Sequence, residues 1–380
     1  MRPATATAAA VSTLIGVGAA AVAAGRYASD AALKASPGRP LPGDPRLTVH
    51  ATAAGQVTLT RSLASLRPGT YGLEGRGVHA VVGPVQAGVA RPADTVVRRL
   101  ERVSYGRLTP GTRVHLTPQV YSGTPAVALG LDHKDVEIPG ELGPLPAWFV
   151  PGHRDTWVIT VHGLGTTREH PMNLMGFLAG RQFPVLDLAY RGDAGAPRSP
   201  DGLGHLGDSE WRDLDAAIRY AVRYGAERVI LYGWSTGASM ALHAAAESAL
   251  AARVSGLVLD SPVLEWEATL RALATARRVP APLLPLAVRA AQGRAAQSRN
   301  GLRGGRPGAG AGHGAPLIPT LIFHGPDDTL ASWEPARALA ARRPDLIGLH
   351  TVRGAPHAAM WNVDPAGYEE ALRRFLTPLM

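Results

Sequence analysis

The sequence has no cysteine among its 380 residues, and this absence removes three kinds of chemistry. The chain can form no disulfide, no thiolate metal site and no cysteine nucleophile, although its cellular compartment remains open. Three histidines, His133, His205 and His313, stand at positions without the spacing of metal ligands. The sequence therefore predicts no metal site.

Lysine is almost missing as well, because Lys34 and Lys134 are the only two in a chain whose formal net charge is +9. Nearly all basic residues are arginines, and the abundance of alanine, glycine and proline beside them is typical of a GC-rich coding bias. The arginines are mostly dispersed, and no nucleic-acid-binding motif accompanies them. We therefore expect no nucleic-acid partner.

Charged residues are absent between Arg2 and Arg26, where the run VSTLIGVGAAAVAAG is small and apolar. Its length is near the ~20 residues that a helix needs to cross a bilayer. We interpret residues 1–27 as an N-terminal hydrophobic helix that anchors the chain in a membrane. A cleaved signal peptide is the alternative, because residues 21–23 resemble a small-residue cleavage site. The expected localisation is membrane-anchored or exported, and the flanking charges leave the orientation open.

The remaining chain divides into regions of different composition. Residues 28–45 are rich in proline and glycine, which predicts a linker. Residues 46–127 contain short alternating runs broken by glycine and proline, typical of a small β-rich region, to which we assign a supporting or packing role. In residues 128–380, near-continuous apolar strands alternate with helices. This pattern predicts a parallel sheet covered on both faces, with ligands bound at the carboxyl ends of its strands.

An insertion interrupts this alternation at residues 263–316, which we predict to form a cap. Its first part is helical with a proline interruption, whereas residues 293–316 form a low-complexity glycine/arginine stretch. No acidic residue lies between Ala268 and Pro326, yet eight arginines do. A solvated cap of biased composition explains this distribution. The alternative is a cap that faces anionic lipid headgroups or an acidic substrate beside the membrane.

One short stretch, LYGWSTGASM, places Ser235 between Gly233 and Gly237, after the predicted strand 228–233 and before a predicted helix. A strand–turn–helix context of this kind is typical of a nucleophile elbow, in which the glycines leave room for a sharp turn. The serine is then held in a strained conformation with its hydroxyl facing the crevice. Ser235 is therefore a candidate nucleophile, and a plain turn residue is the alternative.

A serine hydroxyl reacts only with the help of a base and of a carboxylate that orients the base. His357 lies in the loop after the last predicted strand, and Asp328 lies in the loop after the predicted strand 317–323. The order serine, aspartate, histidine is the one that this architecture requires. Asp327 and Asp260 are alternative acids, because one neighbours Asp328 and the other ends the preceding strand.

An acyl-transfer site also needs two backbone N–H groups that stabilise the oxyanion. The predicted donors are Thr236, directly after the serine, and Leu164 in the stretch HGLGTT. Gly163 and Gly165 allow the backbone of this loop to approach closely. We expect His162 to brace the loop rather than to act as a base.

These stretches resemble those of α/β-hydrolases, and in particular the serine-aminopeptidase and prolyl-oligopeptidase-like branch. The matching pieces are VHGLGTT, YGWSTGAS, FHGPDDTL and GAPHAAMWN, in the same order and placement across residues 130–380. The resemblance implies an α/β-hydrolase fold, with a mostly parallel doubly wound sheet and a cap insertion. It also implies that Ser235 is the nucleophile, Asp328 the orienting acid and His357 the base. The glycine/arginine stretch of the cap departs from the family, in which an ordered cap helix is expected.

Members of this family are mostly hydrolases of carboxylic esters, thioesters, lipids or peptides that need no cofactor. The resemblance therefore implies a serine hydrolase, an esterase, lipase or peptidase-like enzyme, which cleaves an acyl bond through an acyl-enzyme. An acyltransferase that uses the same residues and a non-catalytic binding protein of the same fold are the alternatives. The expected partners are a small-molecule, lipid or peptide acyl substrate and an anionic membrane surface.

Overall fold

The structure is a computed structural model that describes residues 22–34, 41, 45–291 and 316–380. Within these ranges, no helix combines the length and the hydropathy needed to cross a bilayer. Most of the predicted N-terminal anchor, residues 1–21, lies outside the described residues, and the anchor therefore stays a prediction.

The first described element is helix α1, residues 22–33. It contains the last residues of the predicted anchor and the first residues of the predicted linker. Ala28, Ala32 and Leu33 are buried in an apolar cluster that they share with the cap. Burial of this apolar face stabilises a helix here. The prediction of a linker that begins at residue 28 is therefore corrected, because the helix continues to residue 33.

The chain then forms a closed six-stranded antiparallel barrel with the strand order β1-β2-β5-β4-β3-β6. The strands are β1 (Leu47–Ala53), β2 (Gln56–Thr60), β3 (Tyr71–Gly75), β4 (Val78–Val85), β5 (Thr95–Tyr105) and β6 (Arg113–Thr117). Alternate side chains such as Val49, Leu59 and Leu73 are fully buried in its interior, as the two-residue period of a strand requires. The predicted β-rich region is confirmed, and pairing of β1 with β6 closes it into a barrel.

One charged side chain is completely buried in this barrel. Arg98 on β5 is 0% exposed and donates hydrogen bonds to four carbonyl oxygens, those of Gly83 (2.9 Å), Ser65 (3.1 Å), Arg67 (2.7 Å) and Gly69 (2.6 Å). Burial lowers its pKa to about 10, which leaves the guanidinium charged at neutral pH. Because a guanidinium carries five N–H donors in a rigid fork, this single side chain ties the segment 65–69 to the barrel.

We expect Arg98→Met to lower the free energy of unfolding by about 4 kcal/mol, because it leaves four carbonyl groups without their donor. Urea denaturation of the full chain measures this change. Arg99→Met is the matched control on the same strand, since Arg99 is exposed and its side chain pairs with Glu101. Loss of such a surface pair costs at most about 1 kcal/mol. Equal stability of the two variants would show that the buried guanidinium is not what holds the segment.

The second part of the chain forms an eight-stranded sheet with the order β14-β13-β12-β11-β9-β10-β8-β7. Its strands are β7 (Lys134–Gly140), β8 (Gly143–Val150), β9 (Thr156–Val161), β10 (Val185–Leu188), β11 (Arg228–Trp234), β12 (Val254–Asp260), β13 (Thr320–His324) and β14 (Ile347–Thr351). Only β8 runs antiparallel to its neighbours, and the remaining pairs are parallel. This confirms the predicted mostly parallel sheet. The strand order reverses at β9, so a crevice lies outside the carboxyl ends of β9 and β11.

Helices cover both faces of the sheet. The helices after the barrel are α2 (Pro125–Leu129), α3 (Met172–Ala179), α4 (Trp211–Arg223), α5 (Thr236–Glu247), α6 (Trp266–Ala276), α7 (284–291), α8 (Glu334–Arg342), α9 (Met360–Val363) and α10 (Pro365–Leu376). One core packs α4, α5 and α8 on the sheet, and the other packs α3 and α10. Neighbouring strand residues such as Val158 and Ile159 enter opposite cores, which explains why the strands are apolar throughout.

The described part of the cap consists of α6 and α7, which pack with α1 in one apolar cluster. The same cluster includes Leu164, Leu206 and Leu330, which lie in loops that follow β9, β10 and β13. The cap and α1 therefore cover the carboxyl end of the sheet. Residues 292–315, which carry most of the predicted glycine/arginine stretch, lie outside the described residues.

Candidate active site

Ser235 stands at the turn between β11 and α5, with φ 55° and ψ −116°. Such a conformation is costly for a residue with a side chain and persists only where the surroundings enforce it. A Cβ added to Gly233 would collide with the backbone of Gly237, and one added to Gly237 would collide with the carbonyl oxygen of Val161. The N–H of Ser235 also donates to the carbonyl of Asp260 (2.8 Å). The two glycines therefore permit the sharp turn that was predicted from their spacing.

The structure brings the three predicted reactive side chains into one hydrogen-bonded chain. His357 Nε2 lies 2.6 Å from Ser235 Oγ, and His357 Nδ1 lies 2.8 Å from Asp328 Oδ2. Because the carboxylate accepts from Nδ1–H, Nε2 is left as the acceptor for the serine proton. This is the arrangement in which an imidazole can act as a general base.

The carboxylate of Asp328 has every lone-pair direction engaged. Its Oδ1 accepts from the N–H groups of Leu330 and Ala331, both at 2.9 Å. Its Oδ2 accepts from His357 and also from His324 Nε2 (3.1 Å). Burial alone raises the pKa of Asp328, but the charge of His357 and the hydrogen bonds from His324 and His357 outweigh it and hold the pKa well below its usual range. The acid is therefore ionised at any pH near neutrality.

The side chains of the two alternative acids have other hydrogen-bond partners. Asp327 is exposed and its Oδ2 accepts from the N–H of Gly354 (2.7 Å). Asp260 is fully buried, and its two oxygens accept from Ser261 Oγ (2.8 Å) and Tyr368 Oη (3.1 Å). Burial raises the pKa of Asp260 to about 7, against the lowering effect of these two bonds. Both oxygens of Asp260 and one oxygen of Asp327 thus accept from groups other than His357.

The predicted oxyanion loop lies directly against the serine. A Cβ added to Gly163 would be only 2.5 Å from the Cβ of Ser235, and Gly165 has a φ of +75°, which favours glycine. Neither the N–H of Leu164 nor that of Thr236 donates to an acceptor in the part of the chain that the structure describes. Both N–H groups are therefore available to a ligand atom beside the serine.

Two polar residues at this site were not singled out from the sequence. His324, the last residue of β13, lies between Asp328 and the carbonyl of Ala331 (3.2 Å). Ser261, which follows β12 and has a φ of 50°, accepts from the N–H of Ala358 (2.9 Å) next to the candidate base. Both stand at the carboxyl end of a strand, and this position was the signal that could have identified them.

The barrel contacts the loops that carry the candidate reactive groups. Asn362, which is fully buried, donates to the carbonyls of Thr70 (2.9 Å) and Pro118 (3.0 Å) and so fixes the segment after His357. Gln119, just after the barrel, accepts from the N–H of Thr167 (2.6 Å) in the oxyanion loop. These partners are far apart in sequence, and no local pattern could have indicated them.

Comparison with known proteins identifies the two parts of the chain. Residues 152–302 match the family "Serine aminopeptidase, S33", and residues 48–117 match a "Domain of unknown function (DUF8805)". None of the curated proteins matches the chain.

Among solved structures, an esterase of Pyrococcus furiosus is 23% identical with a TM-score of 0.53, covering 68% of this chain and 94% of its own. A second crystal form of it gives 23% identity, a TM-score of 0.52, and coverage of 69% and 98%. A proline iminopeptidase-related protein of Thermus thermophilus is 19% identical with a TM-score of 0.48, covering 66% of this chain and 99% of its own. At such identities the likeness concerns the fold.

The sheet order, the sharp strand–turn–helix at Ser235 and the likeness to the Pyrococcus furiosus structure define an α/β-hydrolase fold. The part of this fold that spans residues 152–302 matches the serine aminopeptidase S33 family. The resemblance inferred from the four sequence stretches is thereby confirmed.

Proposed function

We propose that the protein is a serine hydrolase that cleaves an ester bond through an acyl-enzyme, with Ser235 as nucleophile, His357 as base and Asp328 as the acid that orients the base. The observation that carries this proposal is the unbroken chain of hydrogen bonds from the serine hydroxyl through the imidazole to the carboxylate. A carboxylate with a lowered pKa behind the ring stabilises the imidazolium that forms during attack.

In the proposed reaction Ser235 attacks the acyl carbonyl while His357 accepts its proton. The N–H groups of Leu164 and Thr236 hold the developing oxyanion, and the N-terminus of the 12-residue helix α5 adds its dipole. His357 then gives the proton to the leaving alcohol, and the acyl-enzyme forms. In the second half His357 takes a proton from water as the water attacks the acyl carbon. His357 then returns this proton to Ser235 Oγ as the acyl–oxygen bond breaks, which releases the acid and regenerates the serine.

The surroundings of the serine favour an apolar acyl group. Ser235 is 0% exposed, and the apolar cluster that covers this end of the sheet includes Leu164 from the oxyanion loop and Leu330 from the acid loop. A cover of this kind favours hydrocarbon over a charged aminoacyl group, because a buried charge without a partner is costly. The Pyrococcus furiosus neighbour is an esterase, which agrees with an ester substrate.

An acyltransferase that uses the same residues is the second candidate. The complete burial of Ser235 favours it, because a site that excludes water protects the acyl-enzyme from hydrolysis. The two reactions differ in the acceptor of the acyl group. Product analysis with an added alcohol distinguishes them, since a hydrolase releases the free acid and a transferase forms the new ester.

The proposal is tested with a fluorophosphonate probe and with p-nitrophenyl esters of graded chain length. We expect the probe to modify the peptide that contains Ser235 and the esters to be hydrolysed. Ser239→Ala is the control, because Ser239 lies one turn further along α5 and its hydroxyl donates to the carbonyl of Val263 (2.9 Å). Failure of the native chain both to label and to hydrolyse any ester would favour a non-catalytic binding protein.

A further inference from the structure

The side chain of His162 is held between two groups that can only accept hydrogen bonds. It is 1% exposed, its Nε2 lies 2.7 Å from Asp193 Oδ2 and its Nδ1 lies 3.0 Å from the carbonyl oxygen of Gly163. A neutral imidazole has one N–H, whereas an imidazolium has two. Both contacts are hydrogen bonds only if the ring carries both protons. Two simultaneous hydrogen bonds in this geometry require the imidazolium form of His162.

The carbonyl that His162 contacts belongs to the peptide group of a proposed oxyanion donor. The C=O of Gly163 and the N–H of Leu164 lie in one planar trans peptide and point in opposite directions. This carbonyl accepts a second hydrogen bond, from Thr166 Oγ1 at 3.1 Å. Two donors thus fix the direction of the Gly163 carbonyl, and the direction of the Leu164 N–H is fixed with it.

We propose that His162 is a positioning residue whose imidazolium form holds the Gly163–Leu164 peptide group in the orientation that aims the Leu164 N–H at the oxyanion. The inference rests on the proposed function, because it assumes that the Leu164 N–H acts in catalysis. It goes beyond that function by making the oxyanion site dependent on a second proton, which is separate from the one that His357 transfers.

The groups around His162 stabilise its charge. Burial lowers the pKa of His162, but the charge of Asp193, the hydrogen bonds to Asp193 and Gly163, and the charge of Asp187 raise it above its usual value. Tyr190 stacks on the ring with centroids 4.7 Å apart, and its N–H also donates to Asp193 Oδ2 (3.0 Å). The backbone N–H of Tyr190 thereby fixes the position of the Asp193 carboxylate.

Two further titratable groups face this cluster. Asp187 is buried on the neighbouring strand β10, accepts from Thr160 Oγ1 (2.8 Å), and has a pKa that burial raises to about 7. Its ionisation near neutral pH favours the imidazolium further. His170 has a pKa that burial, and then the charges of His162 and His357, lower to about 3, so that it is neutral. Arg168 acts on Asp187 and opposes part of the burial effect.

The direction in which kcat depends on pH follows from the raised pKa of His162. The imidazolium is present below its raised pKa and is lost as the pH rises through that value. When one proton leaves, Asp193 retains the Nε2–H, and the lone pair of Nδ1 then faces the carbonyl oxygen of Gly163. Repulsion between the two acceptors turns the peptide group away. We therefore expect kcat to fall at alkaline pH.

The first experiment compares pH profiles of kcat and KM on p-nitrophenyl butyrate for the native chain and for Asp193→Asn. Removing the carboxylate lowers the pKa of His162, so the alkaline limb of kcat moves to lower pH while KM changes little. Asp201→Asn is the matched control, because Asp201 pairs with His205 (2.9 Å) in another Asp–His pair. We expect no shift of the limb in this control. An alkaline limb that stays in place in Asp193→Asn overturns the proposal.

A second pair of variants separates charge from mere packing. His162→Asn keeps an N–H donor near the place of Nδ1 but cannot titrate, so we expect the alkaline limb to disappear. His162→Ala removes the donor, and kcat should drop by about 10- to 100-fold with KM nearly unchanged. A wild-type alkaline limb in His162→Asn contradicts the proposal. If the histidine variants fail to fold, the position of the alkaline limb in Asp193→Asn decides the proposal.

Fluorophosphonate labelling keeps the two proposals apart. A native chain that neither labels at Ser235 nor hydrolyses the ester shows that the proposed function is wrong. A native chain that labels and hydrolyses, with the alkaline limb unmoved in Asp193→Asn, overturns only the role of His162.

Discussion

Ser235→Ala is expected to lower kcat for ester hydrolysis by at least about 10⁴-fold, because the serine, histidine and aspartate act as one unit. The serine hydroxyl lies 2.6 Å from His357 Nε2, where its proton can be removed as it attacks an acyl carbon. The activity that remains should be that of the oxyanion donors and of substrate binding alone.

The substitution removes only one oxygen atom from the side chain. It leaves the strain of the turn unchanged, because this backbone conformation is equally costly for alanine and for serine. Steady-state hydrolysis of a p-nitrophenyl ester measures it, with Ser239→Ala as the variant that should remain active. Wild-type turnover by Ser235→Ala would show that Ser235 is not the nucleophile. Circular dichroism of both variants establishes that the compared chains are folded.

We expect Asp328→Asn to lower kcat by about 10³- to 10⁴-fold, which is the second large effect. The amide can keep an oxygen toward the N–H groups of Leu330 and Ala331. Its NH₂ group then faces His357 Nδ1, which must accept instead of donate. The proton therefore moves to Nε2, and the ring can no longer accept the proton of Ser235.

The two alternative acids provide matched controls for this prediction. Asp327→Asn changes an exposed side chain that contacts the N–H of Gly354, and it should retain nearly full activity. Asp260→Asn replaces a carboxyl whose pKa of about 7 already makes it partly protonated at neutral pH, so its effect should be far smaller. A larger loss in Asp260→Asn than in Asp328→Asn would transfer the orienting role to Asp260.

Local sequence patterns predicted those parts of the site that depend on local backbone geometry. A serine between glycines, after a strand and before a helix, needs only the sterics of one turn, and the collisions found at Gly233 and Gly237 are of that kind. The order of serine, acid and base could be predicted because parallel strands bring their carboxyl ends to one edge of the sheet. Each predicted residue follows such a strand.

Other features depend on partners that no local pattern reveals. Asp327 and Asp328 are adjacent, and only the folded loop turns one toward Gly354 and the other toward His357. The alternating runs of the barrel predict strands, but its closure requires the first strand, β1, to pair with the last, β6. The helix at residues 22–33 is stabilised by the cap against which it packs, and its own composition gave no sign of that contact.

The sequence by itself determined the fold class, the nucleophile elbow and the candidate reactive residues, because these follow from strand period, turn sterics and strand direction. Only the tertiary structure decided which acid contacts His357, that the barrel contacts the loops of Thr167 and Asn362, and that His162 is held between two acceptors. Those facts depend on contacts between distant segments. The direction of a side chain in such a contact is set by packing, which one sequence does not specify.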